Sequence, residues 1–331
     1  MKTVNVLVTS PLEGEPLDRI AGLGNEIKVE VVSPLIVAEK KGDLSAKERL
    51  DFLLAKAEVV YGWIHHLPRN LISRAPALKW LQVMSAGIDR LAEEILQSQV
   101  MVTNVSGIHR TPISEFAIHF MLGFAKQAPL CWQMKKEKKW QRFQPAVLRS
   151  QTVGIIGLGN IGKEIARLAK AFDMRVVATR RSARKVGRAR YVDVVYPADQ
   201  LRRLLPESDF VVLALPLTRE TKKMIGEAEL RAMKPGAYLI NIARGEIMDE
   251  EALIRALEEK WIAGAGLDVF AAEPLPPESK LWELPNVIFS PHVSGGMPHY
   301  VRQATEIFCE NLKRYLAGKK FIHVVDKKRG Y

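Results

Sequence analysis

Cysteine is almost absent: Cys131 and Cys309 are the only two in 331 residues. They stand far apart and outside any metal-ligand spacing, which excludes a disulfide framework and a zinc site, and no metal is expected. No window approaches the roughly 18 uncharged apolar residues that a membrane helix requires. The opening "MKTVNVLVTS" has one lysine, a short apolar run that stops at Ser10 and no cleavage pattern, so it is not read as a secretory signal. A soluble cytoplasmic protein is expected. Acidic residues are in deficit: 49 Lys and Arg against 37 Asp and Glu leave a formal charge of +12. Such an excess invites a nucleic-acid reading. Zinc-finger spacing and RNA-binding aromatic signatures are both missing, however, and nucleic acid is not expected as a partner.

The surplus charge is concentrated in two places. "KKEKKWQR", residues 135–142, lies in what looks like a helical stretch and reads as a solvated helix face. "RRSARKVGRAR", residues 180–190, stands in a more specific context, taken up below.

A hydrophobic fraction of 47% supplies apolar side chains for two cores, and the length suits two domains. From residue 3 to about 104, "TVNVLVT", "IKVEVVS", "EVVYGW", "KWLQVM" and "MVTN" read as strands alternating with helical patterns. Such alternation predicts a parallel sheet wrapped by helices. "HRTPISEFAIHFMLGFAKQ" then predicts a long, largely buried helix with Thr111 as its cap and Pro112 at its first position. A second series runs through "TVGII", "MRVVAT", "DFVVLALP", "AYLINIA", "AGAGLDVF" and "NVIFSPH", each strand a nearly continuous apolar run. After Pro291 only a helix over about 298–316 and a short "FIHVV" segment remain, too little for a third domain. The expected fold is α/β with two domains: residues 1–105 plus 292–331, and an inserted nucleotide domain over 106–291.

"GLGNIG" puts Gly157, Gly159 and Gly162 in a G-x-G-x-x-G pattern between a strand and a helix. The first glycine permits the tight turn and the second lets backbone approach a pyrophosphate. The third lets helix and strand pack closely. Amides at the helix start, from Asn160 and Ile161 on, would face the phosphates. The next strand ends at Thr179, Arg180, Arg181 and Ser182, where a carboxylate commonly binds the adenosine ribose. Guanidinium groups there bind a 2′-phosphate instead, which predicts NADP in preference to NAD, with NAD still usable. The alternative is that they are ordinary surface arginines.

Polar residues at strand ends carry the chemistry in α/β folds. Arg244 follows "AYLINIA", Asp268 and Glu273 lie in "GLDVFAAEPLP", and His292 lies in "IFSPHVSGG". Singly each has a structural alternative, and the pair His65 and His66 is as tempting as His292.

Together, "GLGNIG", "PLTRETKKMIG", "MKPGAYLINIARGEIMDEEALIRAL", "AGAGLDVFAAEPLP" and "LPNVIFSPHVSGG" resemble the D-isomer-specific 2-hydroxyacid dehydrogenases in order and approximate spacing. The resemblance covers about residues 150–297, with a weaker echo in "LQVMSAGIDRL". It implies two Rossmann- or flavodoxin-like parallel-sheet domains with an active-site cleft between them, and a homodimer held by the nucleotide domains. It implies further that His292 is the general acid and base, Glu273 its partner, and Arg244 the residue that holds the substrate carboxylate and polarises its carbonyl. Coenzyme contacts are implied at Pro216, Thr221, Ala243, Asp268 and His292. Substrate contacts are implied at Ser85 and at the Ala86 and Gly87 amides.

Alternatives remain at several positions. Asp268 reads equally as an acidic helix cap, and Ser85–Asp89 as a plain glycine turn. Trp63, Ile64 and His65 either line the cleft or pack in the first domain. Glutamate rather than glutamine at 273 disfavours the formate dehydrogenases of the superfamily. No regulatory domain of the long phosphoglycerate dehydrogenase type is expected beyond residue 331. The arginines at 180 and 181 resemble those of NADP-using glyoxylate and hydroxypyruvate reductases. The expected function is hydride transfer between NADP(H) and a small 2-oxo acid; the alternative is a dinucleotide-sensing corepressor of the same fold, which keeps the same three polar residues.

Overall fold

A computed structural model of the chain describes residues 3–330. They divide into two compact units, one formed by residues up to Ile108 together with those from Met297 on, the other by His109–Gly296.

The first unit runs β1 (Val4–Val8), α1 (Glu15–Ala21), β2 (Ile27–Val31), α2 (Ser33–Lys40), α3 (Leu44–Leu54) and β3 (Val59–Gly62). It continues with α4 (Leu71–Arg74), β4 (Trp80–Val83), α5 (Glu93–Gln97) and β5 (Met101–Thr103). All five strands pair in parallel, in the order β2-β1-β3-β4-β5. In the second unit α6 (Arg110–Ala125) and α7 (Ala128–Glu137) precede β6 (Thr152–Ile156), α8 (Asn160–Ala171) and β7 (Arg175–Arg180). Next come β8 (Gly187–Ala189), β9 (Val192–Pro197), α9 (Leu201–Leu204), β10 (Phe210–Leu213) and α10 (Glu227–Ala232). The unit ends with β11 (Tyr238–Asn241), α11 (Glu250–Glu258), β12 (Gly264–Leu267) and β13 (Val287–Phe289), after which α12 (Tyr300–Leu316) belongs to the first unit.

The second sheet has the order β13-β12-β11-β10-β6-β7-β9-β8, parallel throughout except for β8 against β9. Its strand order reverses at β6, between β10 and β7, and in open α/β sheets ligands bind beyond the carboxyl ends of strands at such a point. Every residue of β6, β10 and β12 is buried, as helices on both sheet faces require.

The tail packs on the first sheet for reasons that include polar groups. Trp80 Nε1 donates to Thr103 Oγ1 (2.8 Å), and that hydroxyl donates to Gln82 Oε1 (2.9 Å), which also accepts from Asn311 Nδ2 on α12 (3.0 Å). Asn311 exchanges two further hydrogen bonds with Ile322. Phe308 stacks on Tyr61 with ring centres 4.3 Å apart. Burying these groups unpaired would cost about 1–3 kcal/mol each, so α12 and the segment after it are tied to this sheet by hydrogen bonding as well as by apolar area.

Several expectations need correction. The division falls after Ile108 and Gly296 rather than after 105 and 291, so His292 sits in the second unit. The reason is local: His292 N–H donates to the Asp268 carbonyl (2.8 Å), fixing the turn to the end of β12. Helix α6 begins at Arg110 with His109 at its cap position, ahead of the expected Thr111. The basic segment at 135–142 is helical only to Glu137, because Lys138 turns into the left-handed region (φ 52°). Trp140 beyond it is 94% exposed. Within the basic segment 180–190, Gly187–Ala189 forms the short strand β8. No helix among the described residues is long and apolar enough to cross a membrane.

Candidate active site

The glycine turn joins β6 to α8, with β7 and β10 on either side of β6. Gly157 adopts φ 103°, and a Cβ there would stand 2.5 Å from the Ala214 carbonyl oxygen, so only glycine fits. A Cβ on Gly162 would meet the Gly157 carbonyl at 2.2 Å, which explains the close approach of α8 to the strand. Gly159 differs: a Cβ there would meet nothing within 4 Å. The space beside it is open, and no side chain caps α8, so its first amides, at Asn160 and Ile161, are left without a capping partner, as an anion site requires. Three glycines at the expected spacing thus have three distinct physical reasons, and the turn fits a dinucleotide pyrophosphate.

Thr179 is buried, and its carbonyl pins the turn by accepting from Gly157 N (3.3 Å) and Leu158 N (3.1 Å). Arg180, Arg181 and Ser182 follow in exposed positions. Among the described residues Arg180, Arg184, Lys185 and Arg188 make no ion pair, whereas nearby Arg175 pairs with Glu207 at 2.6 Å. Glu220 is held below its ordinary pKa by its hydrogen bond to Thr218 and, to a lesser extent, by the charges of Arg181 and Arg219, which places Arg181 near the loop after β10. In that loop the Thr221 hydroxyl donates to the Pro216 carbonyl (2.7 Å) and accepts from Thr218 N (2.7 Å), so it shapes the loop and has little capacity left for a coenzyme.

The polar residues of the last three strands converge within the second unit. Gly245 lets the segment after β11 lie against the one after β12, since a Cβ on it would sit 1.9 Å from the Phe270 carbonyl carbon. Arg244, beside it, is fixed through its backbone: its carbonyl accepts from Asn241 Nδ2 (2.8 Å), while Asn241 Oδ1 accepts from Ala243 N (3.0 Å). Its Nη1 donates to the Ala243 carbonyl (2.7 Å). Asn241, wholly buried, was not picked out from the sequence and does this positioning work.

Glu273 and His292 form a dyad, with Oε2 2.8 Å from Nδ1. Glu273 Oε1 also accepts from Phe270 N (3.2 Å), so the carboxylate is held at both ends. With Nδ1 committed to Glu273, the Nε2 atom is the one left for a ligand. His292 has φ 53°, in the left-handed region. The turn around it is fixed by Asp268, fully buried, whose Oδ1 accepts from Ser290 Oγ (2.6 Å), Val293 N (2.9 Å) and Ser294 N (3.2 Å). Oδ2 accepts from Ser294 N at 3.0 Å. Asp268 therefore caps no helix. It clamps the turn that carries His292, and only Oδ2 keeps capacity to accept from a further donor.

In the first unit, Ser85 Oγ donates to the Gly87 carbonyl (2.9 Å) and Asn104 Nδ2 to the Ala86 carbonyl (2.7 Å). These bonds fix the turn through its acceptors. The Ala86 and Gly87 amides have no protein partner among the described residues, which leaves them for an anion. Trp63 stacks on Tyr300 (5.1 Å), whose hydroxyl donates to the Met84 carbonyl just before that turn. Ile64 and His65 lie in a short 3-10 turn, and His66 Nδ1 is 3.0 Å from Ser10 Oγ, a hydroxyl that also accepts from Trp63 N. His66 is thus part of the scaffold around β3, whereas His65 is exposed and stacks on Trp63 with ring centres 6.0 Å apart. No group of three or more His, Cys, Asp or Glu residues among those described is placed to hold a metal ion.

Comparison with known proteins agrees with this layout. The family model described as D-isomer specific 2-hydroxyacid dehydrogenase, NAD binding domain, matches residues 118–294. A glyoxylate reductase of Korarchaeum cryptofilum is 37% identical over 257 residues, 76% of this chain and 76% of that protein. One from Pyrococcus furiosus is 34% identical over 315 residues, covering 92% and 90%. Among solved structures, the NADPH-dependent glyoxylate/hydroxypyruvate reductase of Sinorhizobium meliloti in complex with NADP and sulfate superimposes with a TM-score of 0.83 at 28% identity, covering 99% of this chain and 100% of the other. With the family's domain matched over more than half its length, the chain belongs to the D-isomer specific 2-hydroxyacid dehydrogenases.

Proposed function

We propose that the protein is an NADPH-dependent reductase of a small 2-oxo acid, of the glyoxylate or hydroxypyruvate type. The observation that carries the reading is the dyad: Glu273 holds Nδ1 of His292 at 2.8 Å and leaves Nε2 to carry a proton. The coenzyme, when bound, supplies the hydride for C2 of the substrate. His292 delivers the proton that the developing alkoxide needs, a contribution of about 10² to 10⁴ in rate, or roughly 3 to 5 kcal/mol. Arg244 receives the substrate carboxylate as a forked, charge-assisted donor and draws electron density from the carbonyl. The Ala86 and Gly87 amides are a second set of carboxylate donors, supported by their lack of protein partners.

In this reading the second unit binds the dinucleotide and the first binds the substrate. Gly157, Gly159, Asn160, Ile161 and Gly162 hold the pyrophosphate, and Arg180 with Arg181 holds the 2′-phosphate. Ser182 adds a hydroxyl, and Pro216, Ala243 and the Oδ2 atom of Asp268 complete the contacts. The unpaired state of Arg180 supports the phosphate assignment, because a cation already bonded to a carboxylate has less to offer. The relatives named glyoxylate reductase support the substrate class. A homodimer through the second unit and a cytoplasmic address complete the reading. Trp132 and Trp140, 64% and 94% exposed on and after a helix with no buried residue, support the dimer.

The test is turnover. With NADPH, glyoxylate and hydroxypyruvate are expected to be reduced faster than bulkier 2-oxo acids, and NADH is expected to serve less well. Binding of NADPH without turnover of any 2-oxo acid would favour the dinucleotide-sensing alternative. Sedimentation of the purified protein as a monomer would remove the dimer.

A further inference from the structure

The turn at residues 85–87 lies between β4 and α5, and its carbonyls are held by the two residues that follow β5. Val105 N donates to the Ser85 carbonyl (3.4 Å), and Asn104 Nδ2 donates to the Ala86 carbonyl (2.7 Å). In a trans peptide the C=O and the following N–H share one plane and point in opposite directions. A carbonyl drawn toward residue 104 or 105 therefore sends the next amide the other way. Val105 orients the N–H of Ala86, and Asn104 orients that of Gly87. Both N–H groups are turned away from residues 104 and 105, as successive amides are in an anion-binding nest. The bond from Val105 is long and the one from Asn104 is short, so the Gly87 amide is the more firmly aimed of the two.

Asn104 is itself fixed on every side. It is buried, and its backbone N–H donates to the His323 carbonyl (3.1 Å), in a tail segment whose Val325 N donates to the Val102 carbonyl of β5 (2.9 Å). Its Oδ1 accepts from Ser106 N (3.0 Å), which settles the orientation of the side-chain amide: turned over, it would set NH2 against an N–H and oxygen against a carbonyl. The Oδ1 bond closes a local turn, a duty that aspartate or serine performs as well. The Nδ2 bond is different. Aspartate has no donor at neutral pH, and a serine hydroxyl stands one bond nearer the backbone, so neither serves Ser106 and Ala86 together. We propose that Asn104 is a positioning residue for the substrate carboxylate: by holding the Ala86 carbonyl it directs the Gly87 amide, next to that of Ala86, at the carboxylate of the 2-oxo acid. The proposal rests on the reading above that these two amides receive that carboxylate.

The experiment compares wild type with Asn104→Ala, Asn104→Ser and Asn104→Asp. Serine and aspartate keep an acceptor for the Ser106 amide, serine without added charge, and all three variants lose the amide donor to Ala86. The readouts are KM and kcat for glyoxylate with NADPH, the affinity for oxamate, a non-reacting 2-oxo acid isostere, with NADPH bound, NADPH affinity by fluorescence titration, and the urea midpoint. Asn104→Ser is expected to raise KM and weaken oxamate about tenfold, with kcat within about threefold and NADPH affinity within about twofold of wild type. Asn104→Ala should match it, and Asn104→Asp should lose more, because its carboxylate adds repulsion to the missing donor. An amide that only satisfied a buried carbonyl would lower the urea midpoint and leave KM and oxamate affinity at wild-type values, and that result would overturn the proposal. So would a fall of kcat and NADPH affinity as large as that of oxamate affinity, or a loss in Asn104→Ala that Asn104→Ser repairs, which would trace it to the Ser106 bond. If wild type reduces no 2-oxo acid, the function proposed above fails by itself. Oxamate then decides the positioning claim, which falls if wild type does not bind it or if Asn104→Ser binds it equally well.

Discussion

Two groups of charged residues in the second unit are built in opposite ways. Asp268, Glu273 and His292 are tied by hydrogen bonds to one another and to backbone amides, with Asp268 wholly buried. Arg180, Arg184, Lys185 and Arg188 lie exposed at the end of β7, in the turn beyond and in β8, without ion pairs among the described residues. The contrast follows from what each must meet. A proton donor acts on an atom that must lie within hydrogen-bond reach, so its rotamer and backbone are fixed in advance by the protein. A phosphate is met by long side chains whose freedom is lost only on binding, and each such contact is correspondingly weaker.

The comparison can be broken from either side. The largest effect belongs to the rigid group: His292→Ala should lower kcat/KM for reduction 10² to 10⁴-fold while NADPH affinity stays nearly constant, measured by steady-state kinetics and fluorescence titration. Equal loss of both would mean that the residue shapes the coenzyme site rather than moving a proton. Next comes a pH effect on stability through His109. Burial pushes its pKa in the fold below the ordinary 6.5, to about 4, so the unfolded chain binds the proton more readily. The contribution is complete above pH 6.5 and declines as pH falls through 6.5 toward 4, by on the order of 3 kcal/mol at the full shift of about 2.5 units. Urea unfolding at pH 7.5 and pH 4.5 measures it, and His109→Gln should flatten the dependence.

Smaller still is Asp268→Asn, which keeps the shape but removes the charge that four donor contacts converge on; a loss of about 2 kcal/mol in unfolding free energy is expected, together with a fall in kcat. The smallest effect is on the exposed side: Arg180→Ala with Arg181→Ala should shrink the NADPH over NADH preference about tenfold, or roughly 1.4 kcal/mol, without altering the melting temperature. A large change in stability would show that these arginines are structural after all.

What the sequence revealed, and what it hid, divides along the same line. The glycine turn was legible because its three constraints fall within six consecutive residues, 157–162, and strand and helix patterns flank it. Glu273 and His292 were legible only through the surrounding motif strings, since nothing in their spacing brings the two side chains together. The work of Asp268 was not legible, because its partners are mostly backbone amides at the far end of the next strand, and main-chain donors leave no trace in residue identity. The packing of His109 on Gly295 was hidden for a related reason, since it is made to a glycine, a residue whose sequence signal is the absence of a side chain. Helix α7 ends where Lys138 turns left-handed, a conformation more usual for glycine or asparagine, and composition therefore gave no warning. The strand β8 is only three residues long and flanked by basic residues, so no apolar run marks it.

The central claim is that His292 carries the proton that accompanies hydride transfer, and the most direct measurement is the pH dependence of kcat/KM in both directions with one enzyme preparation. Reduction of glyoxylate by NADPH consumes a proton and needs the imidazolium, so its rate should fall as pH rises; oxidation of glycolate by NADP⁺ needs the neutral ring and should rise across the same interval, and His292→Ala should abolish both trends. Profiles that stay flat from pH 5 to 9 in both directions, or that survive in His292→Ala, would contradict it.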